Sequence, residues 1–426
     1  MLQKLLESSR KNAGAVIILV SAAILSKLFG FIRNAVLAYL FGTTSVADEY
    51  NLLTYPTELI LSFVVNNTII TALVSMFGNV DDSKTTSLFW KILHFYQMVL
   101  TGVTVGIILT MEILYSQLSL PLLMLSGFAA ILYGMSGVIQ SYLYYRQKFY
   151  RASLQDLFSQ IILTVGIGIS SMLGLQWFGL ALIVSGLIRI SLLIPDLKQL
   201  IGDISFRQFI PMKIESRKEL FIGVLPLLLS FFMSNIPGFL LIFLFEREGI
   251  GFISAYNYAL KVTAVFNPIF IIPLTTYAIP KLQQLEKKKQ YTDSYLYGTL
   301  ILLLATAGGI VFSFFVWLFA GTITQVLYAR GSFDTNAITM TSEMLRWYVL
   351  PVPCYAAMYF LLQRIVLSGR NNLVLVAYIA GTIVTIVGFV FPLPILQKGA
   401  VSLAIGTLVS ILILFYGLFS TKKELS

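Results

Sequence analysis

Runs of about 20 apolar residues, each closed by charged or turn-forming residues, recur from one end of the chain to the other. They lie near residues 13–41, 48–77, 87–111, 119–143, 153–173, 176–194, 219–245, 252–279, 295–320, 341–366, 372–392 and 399–420. Each is long enough to cross a hydrocarbon layer of about 30 Å as a helix, an element that satisfies its own backbone hydrogen bonds in lipid. The pattern predicts an all-α polytopic membrane protein of about 12 transmembrane helices, with no sizeable soluble domain between them. The first run carries Lys27 and Arg33 and is followed by no small-residue cleavage site, so it is expected to stay as a helix and not to be removed as a signal peptide.

The longest hydrophilic stretch, Pro195 to Lys218, falls midway and divides six runs from six. It predicts an N-terminal lobe over 1–195, a basic cytoplasmic linker over 196–218 and a C-terminal lobe over 219–426, a two-lobed pseudo-symmetric layout common among transporters. A weak internal echo agrees: Gly30-Phe31 leads to Tyr50-Asn51, and Gly238-Phe239 leads to Tyr256-Asn257.

Composition supports lipid as the solvent, with 58% hydrophobic and 11% charged residues, against about 25% charged in soluble chains. If both termini face the cytoplasm, that side gathers Lys4, Arg10 and Lys11, then Lys84, then Arg146, Lys148 and Arg151, then the run from Lys198 to Lys218, then Lys281 to Lys289, Arg370, Lys422 and Lys423. The opposite loops keep Arg247, Arg330 and Lys398. Positive charge is retained on the cytoplasmic side, so this count sets the orientation. The net charge of +10 is then topology plus contact with anionic lipid, with no call for nucleic acid. One cysteine, Cys354, and one histidine, His94, exclude a disulfide framework and thiol or imidazole metal clusters.

Charges at bilayer depth are costly unless they face water, a partner or a cavity. Lys27 and Arg33 stand six residues apart on the first helix, about 9 Å along its axis. Gly30 between them is a candidate hinge. On the second helix Asp48, Asn51, Tyr55, Glu58 and Ser62 fall on one face by their 3, 4, 3, 4 spacing, interrupted by Pro56 as a second candidate hinge. The seventh span offers Ser234, Asn235, Pro237 and Gly238, and the eighth carries Asn257 and Lys261 four residues apart, then Asn267, Pro268, Pro273 and Pro280. Gly238 and Pro268 complete the hinge candidates. Two readings stand: three cations with few acidic neighbours line a positive chamber suited to a diphosphate, or they are neutralised by Asp48 and Glu58 and only fix packing. Glu112, Arg189, Glu343 and Arg346 read as snorkelling or paired structural charges.

Ser26-Lys27-Leu28-Phe29-Gly30-Phe31-Ile32-Arg33-Asn34-Ala35, continuing through Tyr39-Leu40-Phe41-Gly42 to Ala47-Asp48, resembles the opening of the MurJ (MviN) lipid II flippases. That family belongs to the multidrug/oligosaccharidyl-lipid/polysaccharide exporter superfamily, whose MATE-like fold the resemblance implies. Tyr258-Ala259-Leu260-Lys261, Ile279-Pro280-Lys281-Leu282 and Leu327-Tyr328-Ala329-Arg330-Gly331-Ser332-Phe333-Asp334 extend the likeness. It implies a flippase of the bacterial cytoplasmic membrane that binds an undecaprenyl-diphosphate-linked saccharide in a cationic cavity and works by alternating access as a monomer. The substrate-binding residues it implies are Lys27, Arg33 and Lys261 with Asp48, to which the polar helix faces add Asn51, Glu58 and Asn257.

The chain also departs from the family: Ile60 and Leu61 stand where arginines usually follow the second-helix proline, Asn66-Asn67 where an acidic-glycine pair is common, and twelve helices replace fourteen. An O-antigen, capsule or teichuronic-type repeat unit is therefore a substrate beside lipid II. A MATE-like drug or metabolite antiporter is the rival transporter, but one for cationic compounds needs unpaired carboxylates in its pathway. A membrane glycosyltransferase needs larger loops richer in carboxylate and histidine than these. No enzyme activity, cofactor or metal is expected, and membrane potential or an ion gradient is the expected source of energy.

Overall fold

In the computed structural model the apolar runs are helices throughout the described residues, which are Ser21, 24–64, 73–74, 76–78, 81–115, 118–202, 217–368 and 370–420. The order is α1 (Ile24–Phe41), α2 (Ser45–Val64), α3 (Asp82–Leu114), α4 (Leu120–Tyr145), α5 (Phe149–Leu173), α6 (Gln176–Ile201) and α7 (Arg217–Glu248). Then come α8 (Phe252–Thr263), a π-helical turn (Asn267–Ile271), α9 (Ile272–Lys287), α10 (Tyr291–Leu318), α11 (Ala320–Tyr328), α12 (Thr335–Tyr348), α13 (Val352–Leu367), α14 (Asn371–Gly388) and α15 (Ile395–Ser420). Nine helices among the described residues are long and apolar enough to cross a membrane, or ten if the pair Thr335–Tyr348 and Val352–Val366, bent by 48°, forms one span. Helices α2 and α7 occupy two further expected segments.

Two compact units divide the chain: Met1–Leu40 with Glu49–Leu220, and Phe41–Asp48 with Phe221–Ser426. Their internal packing repeats. In the first unit α5 packs on α6, α4 on α6 and α3 on α4; in the second α14 packs on α15, α13 on α15 and α10 on α13. In both, the fifth and sixth segments form the tightest pair. For α14 and α15 the reason is small residues: a Cβ on Gly381 would fall 2.6 Å from the Gly406 carbonyl oxygen, so the two backbones touch where glycine alone fits.

Two boundaries differ from expectation. α6 runs through Pro195 to Ile201, so the start of the expected linker is helical. Arg151 holds Asp196 at 3.3 Å and Lys148 donates to Gln199 at 2.9 Å, tying this extension to α5 and the turn before it. The expected tenth span is broken at residues 349–351, where Pro351 and Pro353 remove amide donors. Residues 203–216 of the expected linker lie outside the described residues.

Proline inside a spanning helix frees a carbonyl that lipid cannot satisfy, and the fold supplies hydroxyls for it. Pro237 leaves the Met233 carbonyl, four residues back, without its ladder partner, and the Thr382 hydroxyl of α14 donates to that oxygen at 2.8 Å. Next to the Leu52 carbonyl that Pro56 frees, the Ser126 hydroxyl of α4 donates to the Leu53 carbonyl at 2.6 Å. Thr382→Val is expected to lower the unfolding free energy of the detergent-solubilised protein by about 1 kcal/mol. In a Pro237→Ala background, where the ladder bond is restored, the same change should be nearly neutral. Equal losses in both backgrounds would show that the hydroxyl does not serve the proline gap.

Candidate functional site

In the first unit, α1 places Arg33 with 8% of its surface exposed. Its Nη2 stands 3.3 Å from Oε1 of Glu58 on α2. Of the helical face read from the 3, 4, 3, 4 spacing, Glu58 is the member that meets α1. Glu58, whose side chain is 36% exposed, is a partner of Arg33. Lys27, six residues earlier, is exposed, so the two cations of α1 lie in different surroundings. Asn34 is buried and donates to the Gly30 carbonyl at 2.7 Å. α1 runs unbroken through Gly30, and α2 runs unbroken through Pro56 to Val64. Neither candidate hinge interrupts its helix here. Asn51 is buried on α2, its carbonyl accepting from the Thr54 hydroxyl at 2.9 Å. The side chain of Ser62 and residues 66–67 lie outside what the structure describes.

Asp48 belongs to the second unit, where it meets the start of a helix. Helix α8 begins at Gly251, whose φ of 90° is left-handed and which, as glycine, has no side chain to cap the helix. The Asp48 carboxylate takes that role: Gly251 N–H donates to Oδ2 and Ser254 N–H to Oδ1, each at 2.7 Å. An anion at a helix N-terminus satisfies otherwise orphaned donors and meets the positive end of the helix dipole. Glycine is needed at 251 because a Cβ there would press on the Thr43 carbonyl. The same segment is held by the Tyr258 hydroxyl, which donates to the Gly42 carbonyl at 2.9 Å, and the Tyr328 hydroxyl donates to the Tyr258 carbonyl at 3.2 Å. Tyr258, Tyr328 and Phe333 pack as an aromatic triad beneath it. Asp334 caps α12 by accepting from Ala337 N–H at 2.8 Å.

Lys261 lies half-buried in the last turn of α8, where a cation suits the helix dipole. Asn257, one turn earlier, is half-buried and donates to the Ile253 carbonyl at 3.1 Å. Beyond Lys261 the helix breaks at residues 264–265, and Pro268 sits within the π-helical turn that follows. This candidate hinge coincides with a real irregularity; Gly238 lies inside continuous α7.

Of the two readings open for Arg189, snorkelling or a paired structural charge, the structure shows the second. Arg189 of α6 is 1% exposed, far too buried to snorkel. It forms an ion pair with Asp156 of α5, donates from Nε to the Ser136 hydroxyl of α4 at 3.1 Å, and lies over the Tyr133 ring at 4.7 Å. Tyr133 in turn bonds Ser159 at 2.8 Å and Ser185. The only signal for this cluster was the charged position of Arg189 itself, within an apolar run.

Comparison with known proteins follows this geometry. The chain matches the family described as "Lipid II flippase MurJ" over residues 37–425. Among solved structures it resembles a "Lipid II flippase MurJ, inward closed conformation" with a TM-score of 0.76 at 16% identity, covering 94% of this chain and 87% of that one. It also resembles an inward-facing multidrug resistance MATE family transporter of the MOP superfamily, TM-score 0.68 at 15% identity, covering 96% and 98%. A Vibrio cholerae MATE transporter aligns at 0.63 with 10% identity, covering 96% and 97%. No curated protein sequence matches the chain. The structural likenesses establish a fold common to MurJ and MATE transporters, and the family match spans nearly the whole chain: the protein is a polytopic membrane protein that belongs to the MurJ lipid II flippase family.

Proposed function

We propose that the protein flips an undecaprenyl-diphosphate-linked saccharide across the bacterial cytoplasmic membrane by alternating access. Lipid II is the first candidate cargo, and an O-antigen, capsule or teichuronic-type repeat unit is the second. The match to the flippase family over residues 37–425 carries this reading. The antiporter reading has only distant likeness of fold in its favour.

Arg33 is the residue most suited to the diphosphate. Its single ion-pair contact to Glu58, at 3.3 Å, is longer than the 2.7–2.9 Å of a strong charge-assisted bond. A guanidinium has five N–H donors. A diphosphate carries more charge than one carboxylate and draws the fork away from Glu58, which holds the arginine in place between cycles. Lys261 supplies a mobile point charge from the second unit and Lys27 an exposed one from the first. Membrane potential or an ion gradient resets the cycle, each charge moved through 100 mV being worth about 2.3 kcal/mol.

The test is the appearance of lipid-linked saccharide in the outer leaflet of cells depleted of the native protein and supplied with variants. Arg33→Ala and Lys261→Ala are expected to lower the rate at least tenfold at matched protein levels, with Arg33→Lys intermediate. Glu58→Gln should keep translocation, because it removes the competitor and not the clamp. Full rates for both alanine variants would refute the clamp; no loss of outer-leaflet saccharide on depletion would refute the transport reading itself.

A further inference from the structure

The cluster around Arg189 contains polar atoms that its ion pair does not satisfy. Arg189 Nη2, both amide atoms of Gln155 and the Oε1 of Gln140 are buried with no hydrogen-bond partner among the described residues. Gln155 is 0% exposed, Arg189 1% and Gln140 3%. Buried polar groups are satisfied in folded proteins, and leaving several open in one place is costly.

The residues that carry these atoms lie on mutually packed stretches of α4, α5 and α6. On α5, Gln155 lies one turn from Ala152 and one turn from Ser159, on the same face. Gln140 Nε2 of α4 donates to the Ala152 carbonyl at 3.1 Å, and Ser159 meets Tyr133 of α4 at 2.8 Å. Gln155 is therefore held against the stretch of α4 between Tyr133 and Gln140. That stretch contains Ser136, the partner of Arg189 Nε.

The open set is mixed in kind. Arg189 Nη2 and Gln155 Nε2 are donors, and Gln155 Oε1 and Gln140 Oε1 are acceptors. An anion would satisfy only the first two and a cation only the last two; water both donates and accepts. Gln140 and Asp156 lie six and eight residues from the Arg146–Lys148 turn, about 9–12 Å along their helices. The Asp156 side chain is 35% exposed, so the cluster has a polar mouth.

We propose that α4, α5 and α6 enclose a hydrated pocket, in which bound water bridges Gln155, Gln140 and Arg189 and enters past Asp156. The water completes the coordination of Arg189 and keeps its ion pair tolerable inside an apolar bundle.

X-ray radiolytic labelling of the full chain in lipid nanodiscs tests this, because hydroxyl radicals formed from bound water mark adjacent side chains even when these are buried. Tyr133, 2% exposed and under the Arg189 guanidinium, is the reporter; Phe178, 1% exposed on the same helix as Arg189, is the dry control. Tyr133 is expected to label at least fivefold faster than Phe178, and Gln140→Leu/Gln155→Leu to bring it down to the control rate. Equal rates in the wild-type protein would overturn the pocket, a reading that needs no variant to fold. Undiminished Tyr133 labelling in the folded double variant would overturn the assignment of the water to these side chains.

Discussion

Arg189→Ala is expected to destabilise the N-terminal unit by about 3 kcal/mol, enough to deplete the protein from the membrane. The change strands Asp156 without its cation and removes the donor to Ser136 and the charge above Tyr133. Losing one partner of a buried ion pair costs about 3–5 kcal/mol, and the partial exposure of Asp156 places this case at the low end. Replacing both partners by apolar residues of similar size, Arg189→Met with Asp156→Leu, should return most of the loss. The quantity to measure is the unfolding midpoint in detergent, with membrane abundance beside it. If the double variant were as unstable as Arg189→Ala, the pair would have a role beyond mutual neutralisation.

Asp48→Ala is expected to cost about 2–4 kcal/mol, summing the loss of a cap with two charge-assisted bonds and the exposure of buried N–H groups to no acceptor. Both Gly251 N–H and Ser254 N–H lose their partner at once, and Gly251 has no side chain to replace it. Asp48→Asn keeps an oxygen but loses the charge, and about half the penalty should remain. Gly251→Ala attacks the same joint from the other side, forcing a Cβ onto the Thr43 carbonyl at a left-handed φ. Thermal unfolding of the purified variants ranks the three; a stable Asp48→Ala protein that fails only in transport would make this aspartate a part of the pathway and not a cap.

The fold was legible because apolar run length and loop charge are written directly into a membrane chain. α1 to α10 and α12 to α15 fall on or overlap the runs marked in the sequence, while the short α11 (Ala320–Tyr328) lies between two of them, and what failed was local. The helix through Pro195 continues because Asp196 and Gln199 are held from outside, a tertiary contact invisible to proline statistics. The polar face of α2 was correctly drawn from its spacing, yet its members part company. Glu58 turns to Arg33, while Asp48, three turns earlier, serves an amide more than 200 residues away. A helical wheel shows which residues share a face but not what that face touches. Tyr258 and the Leu327–Asp334 segment stood out by resemblance alone, and their reason is structural: they brace Gly42 and start α12. Arg189 read as either a snorkelling or a paired charge, and it is paired: Asp156 and Ser136 hold it, and Ser159 and Ser185 hold the tyrosine under it, partners on other helices that the sequence alone does not identify.

Phe41–Asp48 is an eight-residue piece of the second unit encoded inside the first. A gene cut within residues 203–216 would therefore yield a C-terminal fragment lacking its own cap for α8 and the carbonyl that Tyr258 grips. Expressed alone, that fragment starts with an unmet amide pair at Gly251 and Ser254. Co-expressed with the N-terminal fragment, it regains them, so the two halves are obliged to mature together even though each has its own core.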